Sequence, residues 1–389
     1  MKFAFTPQQE AFRKEIRDFL RAALPPEDDS GESSAAEEGR ASQPFSQKLG
    51  NKGWIGLAYP KEFGGKGLGY IERFVYNEEM VFHRAPLAYH QTAERQMGPS
   101  IIQDGNDFQK ASILPRITKG DLSICIGYSE PNSGSDLAAV ETSAVQDGED
   151  YVINGQKIWT TNAQLSQFIW LAARTDPKAA KHKGISVFLV PMDSKGVRVV
   201  GIPTMAGTRL NQVFFDNVRV PSRYLVGQKN QGWYVVAANL DFERSGIERV
   251  TANLLTFEEL AQYAKTATRH GVPIIRDAVI RHRLAELKIG FNLGRMLAFR
   301  VSWLQSRGQT PNYEASVSKL FGSELSQRTA QVGMQVLGLH AQVSDSPKWA
   351  RLKGRLAASY LVTIADTIRA GTSEVQRNII AQRGLGMPR

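Results

Sequence analysis

The sequence predicts an α+β protein with a helical N-terminal domain, a middle antiparallel β-barrel or sandwich domain and a C-terminal four-helix-bundle domain. Two observations lead to this prediction. Apolar residues recur at helical spacing toward both ends of the 389-residue chain, whereas short β-branched and aromatic runs separated by turn residues fill its middle. We place the three domains at residues 1–121, 122–231 and 232–389.

The N-terminal domain opens on a helix-start signal. Thr6 can cap a helix, Pro7 fits its first position, and Gln9 can complete a capping box. Ile16 lies on the apolar stripe that follows. The glycine-dense connector at 63–69 fits neither the dinucleotide fingerprint nor the P-loop pattern, so we do not predict a nucleotide site there.

The middle domain is predicted from short strand-like runs at 151–153, 168–171, 185–190, 197–202 and 213–215. The dipeptides Asp147-Gly148 and Asn154-Gly155 are strong hairpin signals, and each therefore predicts a tight turn between two strands.

The C-terminal domain is predicted from the return of helical periodicity after Gly232. The break at 271–273 precedes a segment, 274–307, that reads as one long helix with Leu284 and Phe291 on its apolar stripe. Further helices fit 313–336, 348–365 and 373–382. Long amphipathic helices of this kind form bundles, and such bundles commonly oligomerise.

Composition narrows the function classes. The single cysteine, Cys125, excludes an internal disulfide and a cysteine metal cluster, and the six histidines show no paired ligand spacing, so we predict no metal site. The net charge of +10 favours anionic partners, but the basic residues are scattered, which argues against nucleic acid. No leader and no long apolar run are visible, so we expect a cytoplasmic protein without membrane insertion.

The stretch at 128–137, Tyr-Ser-Glu-Pro-Asn-Ser-Gly-Ser-Asp-Leu, follows a predicted strand end. It combines small hydroxyl residues and a glycine, and therefore offers backbone N–H groups with little side-chain bulk. This suits close approach to a planar or phosphorylated ligand. The same composition is also that of a solvated turn.

Four motifs in this order resemble those of the acyl-CoA dehydrogenase family. Residues 128–136 resemble its flavin loop, and Gly-Gln-Lys-Ile-Trp-Thr-Thr-Asn at 155–162 resembles its second flavin segment. Leu-Asp-Phe-Glu-Arg at 240–244 resembles the helix bordering the acyl chain, and Gly-Thr-Ser-Glu-Val-Gln-Arg at 371–377 resembles the C-terminal signature. The resemblance covers essentially the whole chain. It implies FAD-dependent oxidation of an acyl-CoA thioester to the trans-2-enoyl-CoA, with hydride passing to flavin N5.

The resemblance also implies site residues, position by position. Those matching family positions at the cofactor are Ile126, Tyr128, Ser129, Ser135, Trp159, Thr161, Thr372 and Glu374. Those matching positions at the acyl-CoA are Ser135, Asp241 and Arg244. Plainer interpretations stay open, since Trp159 after a hairpin could be a core aromatic. Asp241 and Arg244 could simply pair on one helix face.

The catalytic base is placed through the same resemblance. Many family members carry it just before the C-terminal Gly-Thr, but Ala370 and Arg369 stand there and neither can serve. The isovaleryl-CoA and long-chain branches carry it on the helix of the Asp-x-x-Arg segment, at the position of Glu243. A glutamate beside an arginine is ordinarily a surface ion pair. The vacancy at Ala370 favours Glu243 as the base.

Departures from the family pattern concern assembly. The family's Arg-x-x-Phe-Gly helix segment and a following glutamine are replaced at Ala267, His270 and Asp277, and Leu339 stands where a second glycine is usual. In the family these groups reach the neighbouring subunit's flavin. The pattern is similar to the heterotetrameric enzymes of bacterial steroid side-chain catabolism. We therefore expect the base-carrying chain of an α2β2 enzyme, with a second dehydrogenase-like chain as partner.

The same similarity implies a bulky, sterol- or bile-acid-derived acyl-CoA as substrate and an electron-transferring flavoprotein as acceptor. Alternatives stay open at this point. The chain could form a homotetrameric dehydrogenase of fatty or branched acyl-CoA, or an oxidase that passes electrons to oxygen. It could also be a non-catalytic structural subunit.

Overall fold

The computed structural model describes residues 4–24, 35–243, 246–346 and 348–388, without the side chains of 35–42 and 240–243. Contacts group the chain into two compact units. The sheet unit comprises residues 33–68 and 86–243, and the helical unit comprises 1–32, 69–85 and 244–389. The predicted α+β class, with helices before and after a central sheet, is confirmed. The boundaries after residues 121 and 231 stay a prediction.

The α-helices follow one another as α1 (Pro7–Ala23), α2 (Ala35–Asn51), α3 (Tyr70–Phe82), α4 (Gly98–Asp104), α5 (Asp107–Ser112), α6 (Leu114–Thr118), α7 (Gly232–Glu243), α8 (Ile247–Thr266), α9 (Ala278–Ser306), α10 (Tyr313–Leu337), α11 (Arg355–Asp366) and α12 (Ser373–Ile379). The strands are β1 (Ile124–Gly127), β2 (Ser143–Asp147), β3 (Asp150–Lys157), β4 (Phe168–Arg174), β5 (Ile185–Pro191), β6 (Val197–Pro203), β7 (Arg209–Pro221), β8 (Leu225–Val226), β9 (Thr268–Arg269) and β10 (Val272–Pro273).

The start of α1 follows its sequence signal. The Thr6 hydroxyl accepts a hydrogen bond from the Gln9 N–H at 3.2 Å, and the Gln9 side chain accepts one from the Thr6 N–H at 2.9 Å. This reciprocal pair satisfies two N–H groups that the first turn of a helix leaves without partners. Ile16 and Leu20 are buried, so the predicted apolar stripe is the packed face.

The sheet unit is built on one eight-stranded sheet. Its strand order is β6-β7-β3-β2-β4-β5-β8, and β1 lies beside β4. Most pairs are antiparallel, but β1 runs parallel to β4 and places Ile126 opposite Trp170. Phe188, Val213 and Val220 belong to the apolar core on this sheet. The strand β1 thus delivers the loop that follows it from a rigid, buried scaffold.

One of the two predicted hairpins is wrong. Asp147-Gly148 does turn the chain between β2 and β3, but Asn154-Gly155 lies inside β3. The pairing of β3 with β7 shifts register between Ile153 and Gly155, and Gly155 adopts φ of 146°. A Cβ at Gly155 would stand 2.6 Å from the Thr142 hydroxyl, so the glycine allows a bulge against a close neighbour.

The helical unit buries the long helices against one another. Leu284, Leu287 and Phe291 of α9 lie in one core with Leu260 of α8 and Leu325 of α10. These residues include the stripe predicted from sequence, and the position of the stripe is therefore confirmed.

Two helix starts in this unit differ from prediction. The long helix α9 begins at Ala278, because Asp277 caps it by accepting N–H bonds from Val279 and Ile280 at 2.8 and 3.2 Å. Residues 274–276 form a separate 3₁₀ turn. The helix α11 begins at Arg355, because the residues before it turn the chain through left-handed conformations.

Candidate functional site

The loop after β1 is closed by its own backbone. Glu130 and Ser133 exchange backbone hydrogen bonds of 2.9 and 3.1 Å. The Ser133 hydroxyl donates to the Asp136 carbonyl at 2.6 Å, which extends the closed turn. Ser135, predicted at the cofactor and the CoA, is exposed beyond it. A fixed turn with an exposed hydroxyl can present that hydroxyl to a ligand.

A buried ion pair anchors this loop to the sheet. Lys157 of β3 is fully buried, and its ammonium donates to the Tyr128 carbonyl at 3.1 Å and to Glu130 Oε1 at 2.7 Å. The Glu130 carboxylate also accepts the N–H groups of Glu141 and Thr142, at 2.7 and 2.9 Å. The two predicted cofactor segments, 128–136 and 155–162, are therefore joined by a buried ion pair.

The electrostatics of the pair follow from its burial. Burial lowers the pKa of Lys157 to about 8, although the charge of Glu130 opposes that shift. Burial alone would raise the pKa of Glu130, but Lys157 and the hydrogen bonds from Glu141 and Thr142 outweigh it and hold this pKa below its usual range. Glu130 is therefore an anion at neutral pH, and the loop keeps its anchor.

The second predicted segment lies directly against the loop. The Ile158 N–H donates to the Ser129 carbonyl at 2.9 Å, and Trp159 follows with φ of 62°. The Trp159 side chain is 57% exposed, so the alternative that it is a core aromatic is wrong. Thr161 is exposed as well. The sequence folds here so that an indole and a hydroxyl stand outside the sheet next to the loop.

Tyr128 is held at both ends. Its carbonyl accepts from Lys157, and its hydroxyl, on a side chain 8% exposed, donates to Asn239 Oδ1 of α7 at 3.1 Å. Asn239 is fully buried and donates in turn to the Ser100 hydroxyl of α4 at 3.2 Å. Ile126, two residues before Tyr128, is half-buried in β1.

The C-terminal signature lies in the helical unit. Thr372 caps α12 by accepting the Val375 N–H at 3.2 Å, and Glu374 is exposed in the first turn. A hydrogen bond from its own backbone N–H, followed by one from the Thr372 hydroxyl, holds the pKa of Glu374 below its usual range. The preceding turn is fixed by the buried Lys319, whose ammonium donates to the carbonyl of Gly371 at 2.6 Å.

Position 370 is conformationally special. Ala370 adopts φ of 55° and Gly371 adopts φ of 83°, so two successive residues are left-handed. An alanine is disfavoured in this region, at a cost on the order of 1 kcal/mol. The methyl side chain of Ala370 carries no group that could take up a proton. Arg369, the other neighbour of the signature, is paired with Asp366.

The predicted base and part of the predicted CoA contact lie at the C-terminal end of α7. The backbone of α7 extends through Asp241 to Glu243, but the side chains of both residues lie outside the described residues. Arg244 lies outside them entirely. Their roles stay predictions.

The altered assembly positions have structural roles of their own. Ala267 ends α8, and the residues expected in a helix form the hairpin of β9 and β10, with His270 at φ of 52° in its turn. Asp277 is the cap of α9 already described. Leu339 is 83% exposed. These residues stabilise local turns or face solvent in the helical unit.

Sequence reasoning missed Lys157 and Asn239 as functional positions. Lys157 was visible as a lysine in a motif, and Asn239 as an amide inside the apolar run 235–240. A polar residue within an apolar element signals a buried partner, because an unpaired amide or ammonium is costly there. That signal does not identify the partner.

The residues present fit a flavin dinucleotide. The sheet unit presents an exposed indole with nearby hydroxyls, a donor set that suits a planar polar ring. In the helical unit the buried Ser373 Oγ and Gln376 Oε1 have no hydrogen-bond partner among the described residues. Buried oxygens of this kind are normally completed by a ligand, water or another chain.

Two kinds of feature are absent from the described residues. No group of three or more histidine, cysteine, aspartate or glutamate side chains is placed there to hold a metal ion. Nor does that part of the chain contain a helix long and apolar enough to cross a membrane.

Comparison with known proteins agrees with this geometry. Family models described as the N-terminal, middle and C-terminal domains of acyl-CoA dehydrogenase match residues 6–121, 125–218 and 230–385. Acyl-CoA dehydrogenase FadE26 of Mycobacterium tuberculosis (strain ATCC 25618 / H37Rv) is 35% identical over 400 residues, which cover 100% of this chain and 99% of that protein. FadE29 of the same organism is 33% identical over 386 residues, covering 99% of this chain and 98% of its own.

Solved structures extend the similarity. The ChsE4-ChsE5 complex from Mycobacterium tuberculosis contains a chain with a TM-score of 0.90 and 35% identity, and both chains are covered completely. The Tcur3481-Tcur3483 steroid acyl-CoA dehydrogenase gives a TM-score of 0.89 at 30% identity, again with complete coverage of both chains. This chain therefore belongs to the acyl-CoA dehydrogenase family, whose members are flavin-dependent oxidoreductases.

Proposed function

We propose that this protein removes hydrogen from the α and β carbons of an acyl-CoA thioester and so forms the trans-2-enoyl-CoA, with FAD as its cofactor. One observation carries the proposal. The Ile158 N–H bond to the Ser129 carbonyl brings the two segments that resemble flavin segments together and leaves Trp159 exposed beside them. Bound FAD would supply the acceptor for the hydride that leaves the β carbon.

Cofactor contacts are proposed for each unit by itself. In the sheet unit Ile126, Tyr128, Ser129, Trp159 and Thr161 would border the ring, and Ser135 would lie toward the pyrophosphate and CoA. In the helical unit Thr372 and Glu374 would contact the phosphate and adenosine side. The exposed hydroxyls and the anchored loop support this assignment.

Glu243 is proposed as the base that takes the α-proton. A proton α to a thioester is weakly acidic, so its removal requires a carboxylate close to that carbon in a site shielded from water. The alanine at position 370 supports this assignment, because the position that many relatives give to the base is empty of any proton acceptor.

Anion recognition would hold the CoA. Asp241 and Arg244 are proposed at the pantetheine and adenine, with Ser135 at the phosphate side. A net charge of +10 supports an anionic substrate, since a basic protein attracts phosphate groups over distances of several ångströms.

The substrate is proposed to be a bulky sterol- or bile-acid-derived acyl-CoA, and the assembly an α2β2 complex with a second chain of the same family. Similarity to the ChsE4-ChsE5 complex and to the Tcur3481-Tcur3483 steroid enzyme supports both points. The capping role of Asp277 supports the second, because this side chain accepts the N–H groups of Val279 and Ile280 in its own subunit. An electron-transferring flavoprotein is proposed as acceptor and the cytoplasm as location.

The base assignment is tested with Glu243→Gln, which keeps the shape of the side chain and removes its basicity. We expect the variant to retain FAD and to lose at least about 1,000-fold in turnover, near the range that a positioned proton acceptor contributes. Exchange of the substrate α-proton with deuterated water, followed by mass spectrometry, measures the step itself. Undiminished exchange would show that another group is the base.

The assembly is tested by expressing the chain alone and together with a second acyl-CoA dehydrogenase chain from the same genome. We expect full FAD occupancy and turnover only in the co-expressed complex, because the lone chain lacks the groups that complete a neighbour's site. Straight-chain, branched and sterol side-chain acyl-CoA thioesters form the substrate panel. Full occupancy and turnover by the lone chain would contradict the α2β2 proposal and favour a homotetramer.

A further inference from the structure

A chain of buried hydrogen bonds joins three elements of the sheet unit. Tyr128 donates from its hydroxyl to Asn239 Oδ1 at 3.1 Å, and Asn239 donates from Nδ2 to the Ser100 hydroxyl at 3.2 Å. Ser100 donates onward to the Gln96 carbonyl at 3.0 Å. The chain thus runs from the loop after β1, through α7, to α4 and the helical turn that precedes it.

Asn239 is a polar residue that follows an apolar stretch of α7. The four residues before it on α7 are apolar: Val235, Val236, Ala237 and Ala238. Apolar packing has no preferred direction, so it tolerates small rotations and shifts of a helix. A buried amide that uses both its oxygen and its nitrogen tolerates neither, because a lost partner leaves a buried polar group unsatisfied. Asn239 therefore fixes the rotation and the axial position of α7.

The other end of the connection is equally fixed. The Tyr128 carbonyl accepts from Lys157, whose ammonium is also paired with Glu130. Tyr128 consequently connects two elements, since its carbonyl is hydrogen-bonded to Lys157 of β3 and its hydroxyl to Asn239 of α7. Movement of α7 relative to the loop would break a bond at one end of this residue.

Glu243 lies four residues after Asn239, one helical turn further along α7. We propose that Asn239 is a positioning residue, which holds α7 to the loop through Tyr128 and thereby sets the place of Glu243 for proton abstraction. The inference rests on the proposed function, because it takes Glu243 as the base. A displacement of about 1 Å between a catalytic group and its target can lower a rate about 100-fold, so such a link affects chemistry more than binding.

The test uses two variants of the flavin-loaded complex. Asn239→Leu removes both side-chain hydrogen bonds of Asn239 at similar volume. Tyr128→Phe removes only the Tyr128 hydroxyl and its bond to Asn239. We expect each to retain FAD and KM within about threefold and to lower kcat about 10- to 100-fold. The double variant should lose no more than Asn239→Leu alone, because both substitutions break the same bond.

Proton abstraction is measured separately with a β-thia acyl-CoA, built on the panel thioester that the wild-type complex oxidises fastest. Sulfur at the β position prevents hydride loss but leaves the α-proton removable. The exchange rate in deuterated water should fall by the same factor as kcat. Thermal unfolding of each variant provides a readout that is independent of turnover.

The helical unit offers a matched control. Asn253 of α8 also donates from Nδ2 to a serine hydroxyl, that of Ser326 in α10, at 2.7 Å. Asn253→Leu removes the same kind of helix-to-helix bond. We expect it to lower thermal stability by an amount similar to Asn239→Leu and to leave kcat and α-proton exchange at wild-type values.

The outcomes separate the two proposals. If Glu243→Gln abolishes exchange while Asn239→Leu and Tyr128→Phe lose only stability, the positioning role is overturned and the base stands. If Glu243→Gln keeps full exchange, the base assignment fails and the positioning role fails with it. If Asn239→Leu does not fold, the nearly isosteric Tyr128→Phe decides the matter alone, and wild-type kcat in that variant overturns the inference.

Discussion

The flavin-like loop of the sheet unit and the C-terminal signature of the helical unit satisfy their polar groups differently. In the loop, Lys157, Glu130 and Tyr128 are paired with one another. In the signature, Ser373 Oγ and Gln376 Oε1 are buried without a partner among the described residues. An unsatisfied buried polar group costs about 1–3 kcal/mol. The loop is therefore fixed before any ligand binds. The signature, in contrast, would be stabilised by a ligand that supplies partners for these two oxygens.

The largest effect is expected from breaking the ion pair between Lys157 and Glu130, which anchors the loop. Lys157→Met should lower the free energy of unfolding by about 3–5 kcal/mol, because it leaves the Glu130 carboxylate buried without its cation. Urea unfolding measures the loss. The double variant Lys157→Met/Glu130→Gln should recover part of it, since the uncompensated charge is then gone. A loss below about 1 kcal/mol would mean that the ion pair does not hold the loop.

A second effect concerns another polar contact inside the sheet unit. His90 is buried against the Ser46 hydroxyl at 2.7 Å, and burial lowers the pKa of His90 to about 3. The unfolded chain binds a proton near pH 6.5 and the folded one does not, so stability is fully present above that pH and falls below it. At pH 5 the loss is about 2 kcal/mol.

His90→Gln should flatten the dependence of the unfolding free energy on pH between 6.5 and 5, because no group at this position then titrates. His282→Gln is the control for the loss of a histidine side chain as such, since that side chain is 77% exposed. An unchanged slope in His90→Gln would show that the imidazole is accessible to protons in the folded state.

A third, smaller effect is expected from the helix cap in the C-terminal signature. Thr372→Ala removes the cap of α12 and should lower the stability of the flavin-free protein by about 1 kcal/mol. Thermal unfolding of flavin-free and flavin-loaded samples measures the change. A loss confined to the loaded sample would indicate that Thr372 acts through the cofactor alone.

The smallest expected effect comes from the neighbouring residue. Ser373→Ala should not lower the stability of the flavin-free protein, because its buried hydroxyl has no partner to lose among the described residues. FAD affinity should weaken in the same variant if the cofactor completes this hydroxyl. A clear loss of stability without FAD would instead reveal a partner within the chain.

Local signals in the sequence were sufficient where structure is decided locally. The capping box of Thr6 and Gln9 and the stripe of Leu284 and Phe291 were predicted from spacing alone. The order of helices, sheet and helices was predicted in the same way. Of the site, the sequence indicated the loop and the segment of Trp159 through their resemblance to a family.

What the sequence could not supply is long-range pairing. Lys157 contacts Tyr128 across 29 positions, and Tyr128 contacts Asn239 across 111. No periodicity encodes such partners, because they depend on how separate elements pack. The Asn154-Gly155 prediction failed for the same reason. The dipeptide is a turn signal in isolation, but pairing with β7 on one side and Thr142 on the other requires a bulge.

That bulge has a consequence for the chemical ageing of the protein. Asn-Gly pairs are prone to deamidation, because the following N–H can attack the asparagine side chain once the backbone is free to bend toward it. Here Gly155 is paired opposite Phe215, and Asn154 accepts a hydrogen bond from the Asn217 N–H at 2.8 Å. The folded sheet holds the Asn154 side chain in another contact and keeps the Gly155 backbone within the strand. Asn154 should therefore persist through long storage of the native protein and deamidate rapidly only once the strand unfolds.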